Sequence, residues 1–247
     1  MRPSHFIILI FSVSFFASCE DNKSSQKSAA ETVAEKIQNA DSTATGVAEN
    51  ISEEKEETEE ALGDAYPIPQ EKLIPFLTEY GKKNPENRVR IKTSFGDIEV
   101  RLFRDTPLHR ANFIMLVKKG YFNDTYFHRV APGFVIQGGN SDNISTNEMR
   151  HDIGSYLIPS EFDAGHKHTY GAFSAAKYSE QNVSKASSPY EFFIVMDKGG
   201  SPHLNNDHTV FGEVTNGMDV AEKIVQVETG QSEWPIDNVY IDVEIIE

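Results

Sequence analysis

This 247-residue chain predicts a mainly β fold, a closed antiparallel barrel capped by helices. From Arg88 onward it breaks into many short apolar or alternating runs separated by turn-forming residues. Only two stretches in that region, about 160 residues, keep a sustained helical spacing. No cysteine lies there, so a hydrophobic core must hold the fold without disulfides. Many strands with few helices favour closure over an open layered sheet.

The elements follow in order. KLIPFLTEYGKK at 72–83 reads as a short amphipathic helix broken near Pro75 and ending at Gly81, within a helical extension over 65–87. RVRIKTS at 88–94 and GDIEVRLF at 96–103 alternate apolar and polar residues around a Ser-Phe-Gly turn, the pattern of a hairpin. Pro107 opens a helix whose Ala111, Phe113, Ile114, Leu116 and Val117 recur at helical spacing until Lys118, Lys119 and Gly120. Strands are expected at 126–130, 134–137, 191–196, 209–214 and 239–246, and a second helix at 218–227. The compact domain is expected to occupy 88–247.

The first residues are of another kind. Arg2 and His5 precede an apolar run from Phe6 to Phe16, followed by Ala17 and Ser18. Residues 1–18 therefore read as a secretory signal peptide, too short to span a bilayer. The chain's one cysteine, Cys19, follows directly. An A-x-A-like cleavage beside an incidental thiol is the alternative, but this placement resembles the lipobox of bacterial lipoproteins, in which the cysteine is acylated. Phe16 stands where that motif usually has Leu. The implied location is the cell envelope, with the protein lipid-anchored to a bacterial membrane.

Glu20–Asp64 contains 13 acidic and 4 basic residues and no aromatic one, so it holds most of the net charge of −15. Such a stretch cannot bury enough apolar area to fold and is expected to be a disordered tether. AAETVAEKIQ at 29–38 has the spacing of a transient helix, which would leave that role unchanged. A tether of n residues spans on the order of 5–6 Å × √n. No basic stripe appears anywhere, which argues against nucleic-acid binding.

One stretch raises a chemical question. In YFHRVAPGFVIQGG at 126–139, Arg129 stands inside an apolar run, and an unpaired buried guanidinium costs several kcal/mol or more. FHRVAPGFVIQGG resembles the cyclophilin signature F-H-R-V-x-x-x-F-x-x-Q-G-G at each fixed position. GAFSAAK at 171–177, EFFIV at 191–195 and HTVFGEV at 208–214 continue the resemblance in order, over roughly 88–247. It implies an eight-stranded barrel with two capping helices and peptidyl-prolyl cis–trans isomerase activity.

Rotation about an X–Pro bond must overcome a resonance barrier of about 18–20 kcal/mol. In the twisted state the prolyl nitrogen regains a lone pair, and a fixed donor beside it stabilises that state over both planar ones. The resemblance makes Arg129 this donor and has Gln137 hydrogen-bond it in place. Phe134, Val135, Phe193 and Leu204 then receive the proline ring, Ala176 and Lys177 bind the substrate backbone, and His208 stands at the pocket rim. No cofactor, nucleophile or metal is required. The expected partners are proline-containing polypeptides, and the protein is expected to be a monomer.

Several positions depart from the family pattern. His203 replaces a Trp associated with cyclosporin binding, so weak cyclosporin sensitivity is expected; Lys177 replaces an Asn, and Val135 a Met. Glu191 replaces a Gln near the substrate path, where it could pair with Lys177 or draw Arg129 away. The family's Gly-Thr-Gly-Gly loop is replaced by 141–157, and the 178–190 loop is about five residues longer than usual. His166 and His168, with His151 and Asp152 upstream, offer no third ligand at a recognisable spacing, so they read as surface loop histidines and no metal is assigned. Three functions compete: an isomerase for exported chains, a catalytically weak module holding proline segments, and a lipoprotein presenting the domain to other partners.

Overall fold

The computed structural model describes residues 66–178 and 183–247. The signal-like segment, Cys19 and the acidic stretch to Asp64 lie outside the described residues. A helix α1 (Leu73–Lys83) leads into strands β1 (Arg88–Thr93) and β2 (Gly96–Leu102), then helix α2 (Pro107–Lys118). Strands β3 (Thr125–Ala131) and β4 (Val135–Asn140) precede helix α3 (Ile144–Ile153), and β5 (Ala172–Ala175), β6 (Phe192–Val195) and β7 (Val210–Asn216) follow. Helix α4 (Met218–Ile224) and strand β8 (Val239–Ile245) complete the chain. The strands close into an antiparallel barrel in the order β1-β2-β7-β5-β6-β4-β3-β8, with β8 pairing back to β1.

Alternation in the sequence sets the two faces. Val89, Ile91, Ile98 and Leu102 are fully buried inside the barrel. Outside, Arg90 stands opposite both Glu99 and Glu244 and bonds their carboxylates at 3.0 and 3.1 Å. Partly exposed pairs of this kind contribute little energy but disfavour a register slip. Helix α2 closes one end: Phe113 packs against Phe122, Phe173, Phe192 and Phe211 with ring centroids 4.7–5.8 Å apart. Its N-terminus is satisfied by Glu161, whose carboxylate accepts from the backbone N–H groups of Leu108 and His109, both at 3.0 Å.

The extension helix differs from expectation. α1 runs unbroken through Pro75 and past Gly81, ending at Lys83. Pro75 is the third helical residue, where the missing N–H would have had no intrahelical partner. Gly81 lets α1 lie close on α2, since a Cβ there would come within 3.1 Å of the Ala111 Cβ. The buried Arg110 of α2 donates to the carbonyls of Gly81, Asn84 and Glu86 at 2.9, 2.8 and 3.0 Å, which completes the C-terminus of α1.

The segment 141–157, expected as a loop, contains helix α3. The extension is laced to its end: the Ile68 N–H donates to Ile153 O at 2.8 Å, and Gln70 bonds both polar backbone groups of Leu157. The second capping helix, α4, stops at Ile224 rather than 227, and its final carbonyls are met by tighter turns through Val227.

Candidate active site

Strand β3 answers the question of its arginine. Phe127 and Val130 are both fully buried in the core, three residues apart, which strict alternation forbids. A register shift between Phe127 and Arg129 resolves this, placing His128 and Arg129 outside the core cluster. Across the sheet Arg129 pairs with Gln137, and Gln137 with Phe193, so the three form one row over β3, β4 and β6.

Ala131, Val135, Ala176, Phe193 and Val195 form a second apolar cluster separate from the main core, with Phe134 and Leu204 packed against it. Above it lies a cleft of about 170 Å³. Arg129, Gln137, Phe134, Val135 and Phe193 line one part, and Ala176, Lys177, Leu204 and His208 the rest. Every predicted cleft residue except Glu191 is therefore in this lining. The turn residue Phe134 is fixed by its carbonyl, which accepts from the Met196 N–H at 2.8 Å, and His203 stacks on its ring at 5.6 Å.

The partner of Arg129 is not Gln137. Its Nε donates to Glu233 Oε2 at 2.6 Å, while the Glu233 carbonyl accepts from the Val130 N–H at 2.7 Å. Glu233 thus grips the strand by main chain and the guanidinium by side chain. The two terminal nitrogens of Arg129 have no hydrogen-bond partner among the described residues, and the guanidinium carbon lies 5.6 Å from the Phe134 ring centroid.

Both expected partnerships of Glu191 are also corrected. Its Oε2 accepts from Gln137 Nε2 at 2.9 Å and lies 3.5 Å from His128 Nε2, and its Oε1 lies 3.5 Å from Arg150 of α3. It pairs with neither Lys177 nor Arg129, and sits behind the cleft. Burial alone would push its carboxyl up; His128, Arg150 and Gln137 outweigh that and hold it below the usual carboxylate value. Lys177 instead donates to Asp207 at 2.7 Å. Within the Ala176–Lys177 pair, the Ala176 N–H is already given to Glu191 O, whereas the main-chain groups of Lys177 have no partner among the described residues.

The paired histidines are not alike. His166 bonds Asp105 at 2.9 Å, but His168 is buried rather than at the surface, bonded to Asn205 and Ser174 at 2.9 and 3.0 Å. No cluster able to hold a metal occurs among the described residues.

Burial, with Lys177 adding to it, pushes the His208 imidazole down to about 4 from 6.5. Folded His208 therefore binds fewer protons than unfolded His208 between those values, and its contribution to stability is lost as pH falls through that window. The melting temperature is expected to rise from about pH 4.5 to 6.5, and His208→Gln to flatten part of that rise in a calorimetric series. An unchanged slope in the variant would show that His208 does not titrate in this way.

The geometry and the comparisons agree. A family model for cyclophilin type peptidyl-prolyl cis-trans isomerases matches residues 88–245. The chain belongs to the cyclophilin family. It is 37% identical over 155 residues to peptidyl-prolyl cis-trans isomerase A of Dickeya dadantii, covering 61% of this chain and 77% of that protein. It is also 37% identical over 158 residues to peptidyl-prolyl cis-trans isomerase-like 2 of Rhizopus delemar, of whose length it spans only 28%. Among solved structures, the cyclophilin type isomerase of Cryptosporidium parvum, crystallised in the presence of the dipeptide Ala-Pro, matches with a TM-score of 0.56 and 28% identity, over 65% of this chain and 99% of that one. This cyclophilin is an enzyme of the peptidyl-prolyl cis–trans isomerase class.

Sequence reasoning missed Glu233, Arg150 and Asp207, and gave the signature residue His128 no partner. Glu233 stands in GQSEWP at 230–235, 104 residues from Arg129, with no motif to mark it.

Proposed function

We propose that Arg129 catalyses prolyl isomerisation by donating from a terminal N–H to the prolyl nitrogen as the amide twists. The observation that carries this reading is the one-sided fixation of the guanidinium. Glu233 holds Nε in a half-exposed ion pair, and the terminal nitrogens of Arg129, a residue that lines the cleft, have no hydrogen-bond partner among the described residues. Phe134, Val135 and Phe193 supply the apolar floor on which a proline ring fits, and the free main-chain groups of Lys177 suit an extended substrate backbone. His208, kept neutral by burial, adds no competing positive charge beside Arg129. Gln137, its NH₂ committed to the acceptor-only Glu191, turns its carbonyl oxygen elsewhere, free to accept from substrate or Arg129. A protease-coupled assay on a proline tetrapeptide tests the reading: turnover is expected, and failure to accelerate isomerisation would remove it.

We further propose that the enzyme serves exported polypeptides from a lipid anchor on Cys19, with residues 20–64 as its tether. The support is the apolar run and small residues before the sole cysteine, and the acidic, aromatic-free stretch after it. Two acyl chains would anchor it stably where one is marginal. Cys19→Ala is expected to move the protein to the soluble extracellular or periplasmic fraction. Deleting residues 20–64 should leave the melting temperature and turnover unchanged. Wild-type protein already soluble, with a mature chain starting elsewhere, would end the anchor proposal.

A further inference from the structure

Two exposed aromatic residues pack on the strand that carries Arg129 without lining its cleft. Trp234 is 36% exposed and Tyr240 52% exposed, and both meet the buried Tyr126 edge-on, at 5.7 and 5.5 Å. Trp234 also reaches the His128 ring at 5.7 Å and directly follows Glu233, the residue that grips Arg129. Tyr126, His128 and Arg129 belong to one strand, which rises at most about 3.3 Å per residue and less across its register shifts, so Tyr126 stands within about 10 Å of Arg129. That is about three residues of an extended polypeptide.

Past Tyr240 the surface opens into a second cleft of about 480 Å³, also lined by Asp124, Asp242 and Lys92. Lys92 is the one cation lining it among the described residues, and its Nζ is taken by Glu244 at 2.6 Å. Asp242 faces Lys92 across the β1–β8 pair at more than salt-bridge distance, and Asp124 has no cationic partner within 4.0 Å among the described residues.

We propose that this strip is a second subsite for the client polypeptide, which takes a lysine or arginine side chain about three or more residues from the isomerised proline. The proposal rests on the isomerase reading above. Aromatic faces and carboxylates both attract a cation, and exposed Trp and Tyr are the residue types that concentrate binding energy at interfaces. Trp234 directly follows Glu233, the residue that holds Arg129, so the strip starts at the edge of the isomerase cleft and the bound chain itself is the fitting occupant. The two carboxylates disfavour an anionic lipid surface, and they also disfavour a second copy of a chain whose net charge is −15.

The test uses the full protein and three probes: an Ala-Ala-Pro-Phe peptide, and the same peptide extended by Lys-Lys or by Glu-Glu through a spacer of about three residues, on either side. The Lys-extended peptide is expected to have a KM roughly three- to tenfold lower than the short one, with the gain shrinking as salt is added. The Glu-extended peptide should show no gain. Tyr240→Ser and Asp242→Asn should abolish the gain while leaving turnover of the short peptide unchanged. Equal KM for all three peptides, with normal turnover of the short one, would overturn the subsite and leave the isomerase reading standing. Should the short peptide not be turned over, that reading fails instead, and fluorescence anisotropy of labelled Lys- and Glu-extended peptides decides the subsite on binding alone. A dimer in sedimentation that Tyr240→Ser dissolves would assign the strip to self-association and overturn the proposal.

Discussion

Arg129→Ala is expected to lower kcat/KM for a proline peptide by at least about ten- to a hundredfold. A hydrogen bond to a charged group contributes roughly 1.5–3 kcal/mol, and transition-state arithmetic converts that into the stated factor. Lost preorganisation adds to it, because the donor that Glu233 holds by Nε is removed. Peptide affinity should change little, since Phe134, Val135 and Phe193 still floor the cleft. Arg129→Lys should fail to restore the rate. An ammonium on a flexible stem cannot accept fixation at one nitrogen while presenting another, which the planar fork does. A lysine variant with near wild-type turnover would show that positive charge alone suffices and that the gripping geometry is irrelevant.

The largest effect on stability is expected at Glu191. Glu191→Ala leaves the Gln137 NH₂ without its acceptor and removes the carboxylate from Arg150 and His128. Removing one partner of a fully buried pair costs about 3–5 kcal/mol. Arg150 is partly solvated and keeps its bonds to Tyr121 Oη and Gly139 O, so roughly 2–3 kcal/mol is the expected loss here. For a domain of this size that lowers the melting temperature by about 5–10 °C. Glu191→Gln still offers an oxygen to Gln137, so its turnover should stay within about threefold of wild type. A strong gain in rate on that substitution would instead mean that Glu191 restrains Arg129, and the protein would be a binder whose catalysis is suppressed.

Much of this was legible in the chain because it is local. Alternation around Ser94–Phe95 predicts the first hairpin, and the resemblance of Phe127–Gly139 to the cyclophilin signature implies a shared cleft for Arg129, Phe134 and Gln137, which line one in the structure. What was not legible depends on partners far along the chain. Nothing near Arg129 announces Glu233, and nothing near Lys177 announces Asp207, 30 residues on. Pro75 misled for a different reason: its effect depends on where the helix starts, and three residues inside the N-terminus it breaks nothing. The stretch 141–157 reads as a substituted loop, but its Arg150 reaches back to support Glu191, so the segment is part of the wall behind the cleft.

The central claim is that Arg129, fixed at Nε, acts on the twisted amide and not on binding. Two-dimensional exchange NMR on a proline peptide at saturating protein measures the cis–trans interconversion rate of bound peptide separately from its affinity. The wild type should show fast exchange on the enzyme. Arg129→Ala should bind the peptide with nearly unchanged affinity and show an interconversion rate lower by about ten- to a hundredfold or more. Interconversion on Arg129→Ala as fast as on wild type, at equal occupancy, would contradict the account.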